Sequence, residues 1–331
     1  MNRFEKLYPA VFTLLFSAML LLPARSALTG SFASTTSGQT LIAAYNDFRL
    51  ALGDKVFPNV LVGRDGWLFY TGEQSDDDYQ NTYPFKQRQI IAITEGLNRL
   101  DARLRARGAK LIVVIAPNKA TIYPEYMPAE IQRLDDQSRL DRLSAYLQQH
   151  SDVTFLDLRA VLLEAKKGER IYYQTDTHWN DLGGYAAYGQ ILAALGIPAH
   201  PRSDYVVEQT APQILDLAAN IGAESLREPK INLAPRFDIA GSFESTDLGE
   251  NRRLQTWSSP DQSLPTAVMY HDSFAFNLIP MLAPHFQRAV FVPHFSGPNW
   301  TLDWVDKEKP DVVIIEFAER YLAELEKLLE R

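Results

Sequence analysis

The chain has no cysteine. Disulfides, thiolate zinc sites and a cysteine nucleophile are therefore excluded, while an oxidising compartment stays compatible with it. It also lacks a basic excess: 33 Lys and Arg stand against 41 Asp and Glu, a formal net charge of −8. Nucleic-acid binding needs a basic footprint, so no nucleic acid partner is expected, and general adhesion to anionic lipid is disfavoured. Internal repeats and heptad arrays are absent. Long hydrophobic runs are scarce as well, which excludes a polytopic membrane protein. What is present is ordinary globular composition, with 46% hydrophobic and 22% charged residues. A length of 331 residues suits one large domain or two modest ones.

The one long apolar run is residues 7–24, LYPAVFTLLFSAMLLLPA, uncharged and followed by Arg25. A spanning helix needs about 20 such residues and a signal peptide about 7–15, so both readings fit. Arg3 and Lys6 precede the run, which keeps the start cytoplasmic and exports the rest. Ala24-Arg25-Ser26 offers a small-x-small cleavage site. Residues 1–27 are therefore expected to be a signal anchor or a signal peptide. The body is expected to be periplasmic, tethered to the inner membrane by residues 7–24 unless they are cleaved. Residues 28–55, with TGSFASTTSGQT, read as a spacer.

Beyond it, LVGRDGWLFY (61–70) reads as a hairpin around Arg-Asp-Gly, and Ser75–Asp78 as a solvated loop. Ile90, Ile93, Leu97, Leu100 and Leu104 recur at spacings of 3, 4, 3 and 4, one face of a helix over 85–107 that Gly108 stops. KLIVVIAP (110–117) is an apolar strand, 136–149 a helix, VTFLDL (153–158) a strand and 181–195 a helix with Asn180 at its N-cap. Residues 200–260 are polar and Pro-punctuated, and read as an irregular insertion of loops and short strands. The alternation resumes with strands at 266–270, 288–294 and 311–317 and helices at 274–284, 299–307 and 319–330. Strands apolar on both faces, alternating with helices, indicate a parallel sheet covered on both sides.

Two short motifs carry chemistry. In Asp176-Thr177-His178-Trp179, residues i and i+2 of an extended stretch point the same way. Asp176 can then accept from one ring nitrogen of His178 and leave the other free as a base. Alternatively His178 is a structural histidine and Asp176 a cap. In His271-Asp272-Ser273 the serine follows a strand and opens a helix, where its own N–H is a ready oxyanion donor. The alternative is that Asp272 or Ser273 merely caps. Together the motifs supply nucleophile, base and orienter. The chemical rival is a metal held by Asp176, His178, His271 and Asp272, though the sequence lacks the further His and Asp clusters of a two-metal site. Tyr172, Tyr173, Trp179 and Trp300 could stack on sugar rings or simply pack, and Asn118-Lys119 could line the cleft or form a turn.

These motifs, with LVGRDGWLFY, APNKATIYPEYMP, YYQTDTHWNDLGGYAAY and DVVIIEFAERYL, resemble the SGNH hydrolase superfamily. Because Asp176 and His178 precede Ser273, the order is similar to the circularly permuted branch that contains the alginate O-acetyltransferases. The resemblance covers residues from about 60 to 325. It implies a permuted three-layer α/β/α SGNH hydrolase-like parallel sheet over residues 56–331, in which 266–270, 288–294 and 311–317 are the first three strands of the unpermuted order. It implies Ser273 as nucleophile, His178 as base and Asp176 as orienter. It also places Gly297 at the second-block oxyanion glycine and Arg320 where the family has an asparagine donor. Tyr173 and Trp179 are further substrate candidates. His271 stands where the family usually has glycine, two residues before the serine. The implied activity is O-acetylation of an exported polysaccharide through an acetyl-serine, without metal or cofactor. Acetyl groups would come from a membrane-bound O-acyltransferase partner. A periplasmic carbohydrate esterase and a non-catalytic scaffold are the alternatives. The last expected helix reaches the end of the sequence, which implies no added C-terminal polysaccharide-binding domain.

Overall fold

The computed structural model describes residues 36–73, 75–249, 252–293 and 302–329. In chain order its strands are β1 (Val56–Phe57), β2 (Val60–Val62), β3 (Leu68–Tyr70), β4 (Lys110–Ala116), β5 (Thr154–Asp157), β6 (Tyr205–Gln209), β7 (Ile231–Pro235), β8 (Ser242–Asp247), β9 (Arg253–Ser258), β10 (Thr266–His271), β11 (Arg288–Pro293) and β12 (Val312–Ala318). Seven of them form the central sheet, in the order β5-β4-β12-β10-β11-β9-β8. The five from β5 to β11 run parallel, while β9 pairs antiparallel with β11 and β8 with β9.

Successive residues of the parallel strands point to opposite faces, and both faces are covered. Ile112, Val114, Met269, Phe291 and Ile314 enter one core with Leu182, Tyr188 and Ile191 of the Asp181–Leu195 helix. Leu111, Val113, Val268, Val290 and Val313 enter the other with Ile93, Leu97 and Leu104 of the Gln87–Arg105 helix. This is why β4 and β12 read as continuous apolar runs rather than alternating ones. Each fully buried aliphatic side chain contributes roughly 1.5–3 kcal/mol, so the two faces together hold the sheet between its helices.

Read from β10, the strand order becomes 2-1-3-4-5, the doubly wound order whose ligands bind at the carboxyl ends of the strands flanking the switch point. Here those strands are β10 and β12, and Ser273 and Arg320 follow them.

Four expectations need correction. The sheet is mixed rather than parallel, because part of the polar 200–260 stretch supplies its antiparallel edge. Trp257 of β9 is buried with its indole N–H donated to the Phe286 carbonyl at 3.0 Å, which locks that edge in place. Within the presumed spacer, residues 36–51 are helical, and Asn46 donates to the Ile221 carbonyl at 2.5 Å. The stretch read as a solvated loop is the Ser75–Gln80 helix, in which Asp78 makes a buried ion pair with Arg139. Finally, residues 274–284 form a chain of short 3-10 and α turns instead of one helix. The hairpin expectation holds: β2 and β3 pair antiparallel, with Asp65 at φ 52° and Gly66 at φ 75° in the left-handed turn. Residues 7–24 and Gly297 lie outside the described residues. Among the described residues, no helix is long and apolar enough to cross a membrane.

Candidate active site

The loop between the Arg159–Lys166 and Asp181–Leu195 helices is drawn into a narrow finger. Tyr172 and Trp179 form an isolated antiparallel bridge, the Asn180 N–H donates to Ile171 at 2.9 Å and the Tyr173 N–H donates to His178 at 3.2 Å. Asp176, Thr177 and His178 occupy its tip. Asn180 caps the following helix, its side-chain oxygen accepting from the Leu182 and Gly183 N–H groups. A side chain at Gly183 would meet the Ile171 carbonyl at 2.6 Å and Trp179 Cβ at 2.8 Å, so glycine is required where finger and helix touch.

At the tip, Asp176 Oδ1 accepts from the His178 backbone N–H at 2.9 Å and lies 2.7 Å from His178 Nδ1. His178 Nε2 lies 2.7 Å from Ser273 Oγ. Three residues separated by up to 97 positions therefore make one continuous hydrogen-bonded chain. Burial pulls the His178 pKa down, but the hydrogen bond and charge of Asp176, then the charge of Asp216, outweigh it and the net shift is upward. Burial pushes Asp176 up, and its bonds to His178 more than reverse this, leaving its carboxyl below the usual range.

Ser273 stands on a 3-10 turn directly after β10. Asp272 is buried; one of its oxygens accepts from the Phe274 N–H at 2.8 Å and the other from the Ala318 N–H at 2.7 Å. It thus caps the turn and ties the end of β10 to the end of β12. No acceptor among the described residues takes the Ser273 N–H, which leaves it available at the mouth of the site.

Lys119 holds the finger from below. It is buried, and its ammonium donates to the carbonyls of Tyr173, Gln174 and Asp176 at 3.1, 3.1 and 2.6 Å. Burial lowers its pKa to about 8, so it remains charged at neutral pH. The 200–260 stretch holds the finger from the other side. Glu228 accepts from the Gln174 N–H at 3.0 Å, and the Thr175 carbonyl accepts from the Leu217 and Ala218 N–H groups at 3.1 and 3.2 Å.

Several site expectations change. Tyr173 is buried, its hydroxyl donating to the Ile231 carbonyl at 3.2 Å and accepting from the Ile231 N–H at 3.1 Å. Trp179 is fully buried, its indole N–H donated to the Phe274 carbonyl at 2.9 Å and its ring edge-on to Phe274. Neither presents a face to a sugar; Tyr173 ties the finger to Ile231 of β7, and Trp179 braces Phe274, the residue next to Ser273. Tyr172 is likewise buried, with its hydroxyl donating to the Pro117 carbonyl at 2.6 Å. Arg320 is buried beside the site, its guanidinium 5.6 Å from the Phe274 ring centre and its Nε 3.1 Å from Glu73. The neighbouring Glu319 accepts from the Asn118 N–H at 3.0 Å and the Thr121 hydroxyl at 2.6 Å.

The four residues of the metal alternative do not converge. His271 Nδ1 faces the Asp272 carbonyl at 2.8 Å, and the Asp272 carboxylate is occupied by backbone N–H groups. Burial lowers the His271 pKa to about 4, so this imidazole is neutral. Among the described residues Asp176, His178 and Asp216 do bring ligand-type atoms within 4.8 Å of one another. Asp176 Oδ1 lies 2.7 Å from His178 Nδ1 and Asp216 Oδ1 accepts from the Thr177 N–H at 2.7 Å, while Asp216 Oδ2 lies 3.8 Å from His178 Nδ1. Asp216 and Glu228 carry no local motif in the sequence, and Lys119 reads there only as a residue that could line the cleft or form a turn. Each meets the finger from more than 35 positions away, and only the fold brings them there.

This architecture has counterparts among known proteins. Residues 60–242 match the family description SGNH hydrolase-like domain, acetyltransferase AlgX. The probable alginate O-acetylase AlgJ of Pseudomonas syringae pv. tomato is 31% identical over 300 residues, covering 82% of this chain and 72% of that one. The AlgJ of Pseudomonas putida is 26% identical over 301 residues, covering 86% and 74%. Among solved structures, a DHHW family protein from Eubacterium siraeum aligns with TM-score 0.61 and 17% identity, covering 84% of this chain and 97% of that one. The O-acetyltransferase domain of Pseudomonas putida AlgJ aligns with TM-score 0.52 and 22% identity, covering 80% and 93%. With more than half its length inside the family match, and the motif order and fold in agreement, this chain belongs to the AlgX family of SGNH hydrolase-like acetyltransferase domains.

Proposed function

We propose that the chain is an O-acetyltransferase that modifies an exported, alginate-like polysaccharide through an acetyl-serine at Ser273. The observation that carries this reading is the Asp176–His178–Ser273 chain, with both side-chain contacts at 2.7 Å, at the carboxyl end of the switch-point strand. The relatives named alginate O-acetylase support the acetyl group and the polymer.

In the first half-reaction Ser273 Oγ attacks the acetyl carbonyl while His178 Nε2 takes its proton. Asp176 holds the Nδ1–H tautomer and stabilises the imidazolium. The tetrahedral oxyanion is received by the Ser273 N–H, with Gly297 N–H and the Arg320 cation as further donors. The leaving group takes the proton from His178, and acetyl-Ser273 remains. In the second half a sugar hydroxyl gives its proton to His178 and attacks the acetyl carbon. The ester forms, and Ser273 recovers its proton. The acetyl donor is delivered by a membrane-bound O-acyltransferase, and residues 7–24 keep the chain at the outer face of the inner membrane.

The test uses a chromogenic acetyl ester with and without a short uronic acid oligosaccharide, followed by mass spectrometry of the sugar. Ser273-dependent gain of acetyl mass on the sugar is the expected result. Ester cleavage with water as the only acceptor for every uronic acid oligomer offered would make the protein an esterase instead.

A further inference from the structure

His178 is faced by two carboxylates, and the role of orienter accounts for one. Asp216 opens the short Asp216–Asn220 helix, inside the polar stretch that sequence alone leaves without a function. Its Oδ2 lies 3.8 Å from His178 Nδ1, its Oδ1 accepts from the Thr177 N–H at 2.7 Å and its own N–H points to Asp176 Oδ2 at 3.4 Å. Asp216 thus touches all three residues of the finger tip. It is anchored independently of them, since Leu217, Ala218 and Ile221 pack into a separate core with Phe57, Val60 and Leu68.

We propose that Asp216 is a positioning residue of the same site, a second counter-charge for His178 that fixes the Asp176–His178 pair and stabilises the imidazolium in both half-reactions. This rests on the reading of Asp176, His178 and Ser273 as the catalytic chain. At 3.8 Å Asp216 is too far for a hydrogen bond to Nδ1 but within ion-pair distance, and with side chains 22% (His178) and 37% (Asp216) exposed the charge interaction is partly screened by solvent. The direct bond goes to Asp176, so Asp216 adds charge without competing for the proton. Its position away from Ser273 means that it stabilises the charged histidine rather than the substrate.

The remaining charges around the pair are accounted for. His178 is also faced by Arg320 after β12, which opposes its protonation, and by Asp272 after β10. Asp216 is also faced by Lys119, beneath the finger, and by Tyr70 of β3. Burial and the Asp176 charge raise the Asp216 pKa, and His178 and the Thr177 N–H oppose that rise. The site therefore carries two acids and one imidazole whose protons are linked.

Asp216→Asn keeps an oxygen for the Thr177 N–H and removes only the charge. In the full chain, held in mild detergent, the variant is expected to lower kcat for acetyl release about three- to tenfold with KM unchanged. The acid limb of its pH profile should move about 0.5–1 unit toward lower pH, because a histidine that loses a negative neighbour gives up its proton more easily. Asp216→Glu, which restores the charge, should recover most of both effects. A direct readout independent of turnover is the titration of His178 by NMR of ring-labelled histidine, with and without Asp216→Asn, both in the Ser273→Ala background. A lower His178 pKa in the double variant supports the proposal. An unchanged value overturns it, whatever the activity. If Ser273→Ala itself retained acetyl release, the catalytic reading would fail, while the titration would still report whether Asp216 sets the charge of His178. Should Asp216→Asn fail to fold, Asp216→Ser with the same His178 pKa as the parent would overturn the proposal equally.

Discussion

Ser273 stands on a turn that Asp272 caps at its start and ties to the end of β12. Because Ser273 itself supports neither core, Ser273→Ala should leave the fold intact, with an unchanged circular dichroism spectrum. It should reduce acetyl release by at least about a thousandfold, as losing an activated nucleophile usually does. Retained activity would remove Ser273 from the mechanism. The pH dependence follows from His178. The base must be neutral to accept the serine proton, and the site raises its pKa above the ordinary 6.5. Activity should therefore fall as pH drops through a value above 6.5, not below it, and kcat/KM measured across pH 5–9 checks the sign. These residues were legible because each motif is local: Asp176 and His178 are two positions apart, and Ser273 follows an apolar strand. Asp216 was not legible, because a lone aspartate in a polar stretch has no pattern, and its partner lies 40 positions away. For Tyr173 and Trp179 the sequence leaves stacking on sugar and simple packing both open, for a related reason. An aromatic side chain next to a catalytic motif looks the same in sequence whether it faces sugar or braces a loop.

At the scale of elements, the finger from Ile171 to Asn180 is held by few but strong contacts. Lys119 spends all three of its donors on finger carbonyls. Lys119→Met keeps the stem and strands those acceptors, so it should cost about 3 kcal/mol in denaturant unfolding and lower kcat more than it raises KM. An unchanged stability would show that the finger is fixed elsewhere. Trp179→Phe loses the bond to the Phe274 carbonyl and part of a fully buried ring. A loss of about 2 kcal/mol is expected by thermal or chemical unfolding. Elements with strong periodicity were readable within a few residues, such as the helix observed at Gln87–Arg105 and the strand at Lys110–Ala116. The polar edge was not. β8 is exposed along its whole length, so it shows no apolar alternation, and beside the backbone ladder its pairing to β9 has an aromatic contact, Phe243 with Trp257 at 5.0 Å between ring centres.

For the molecule as a whole, the parallel strands read 2-1-3-4-5 from β10, with the switch point between β10 and β12, although β4 and β5 come earlier in the chain. The order of motifs, Asp176 and His178 before Ser273, matches that strand order. The polar 200–260 stretch then does two separate jobs: β8 and β9 extend the sheet, while Asp216 and Glu228 secure the finger tip. The most direct test of the central claim is to mix the full chain with an acetyl ester, quench in acid within the turnover time, digest, and weigh the peptide that contains Ser273. The account predicts one added acetyl group on Ser273, absent in Ser273→Ala and discharged onto an added uronic acid oligosaccharide. Steady acetyl release with no acetyl group trapped on Ser273 under any quench would contradict it.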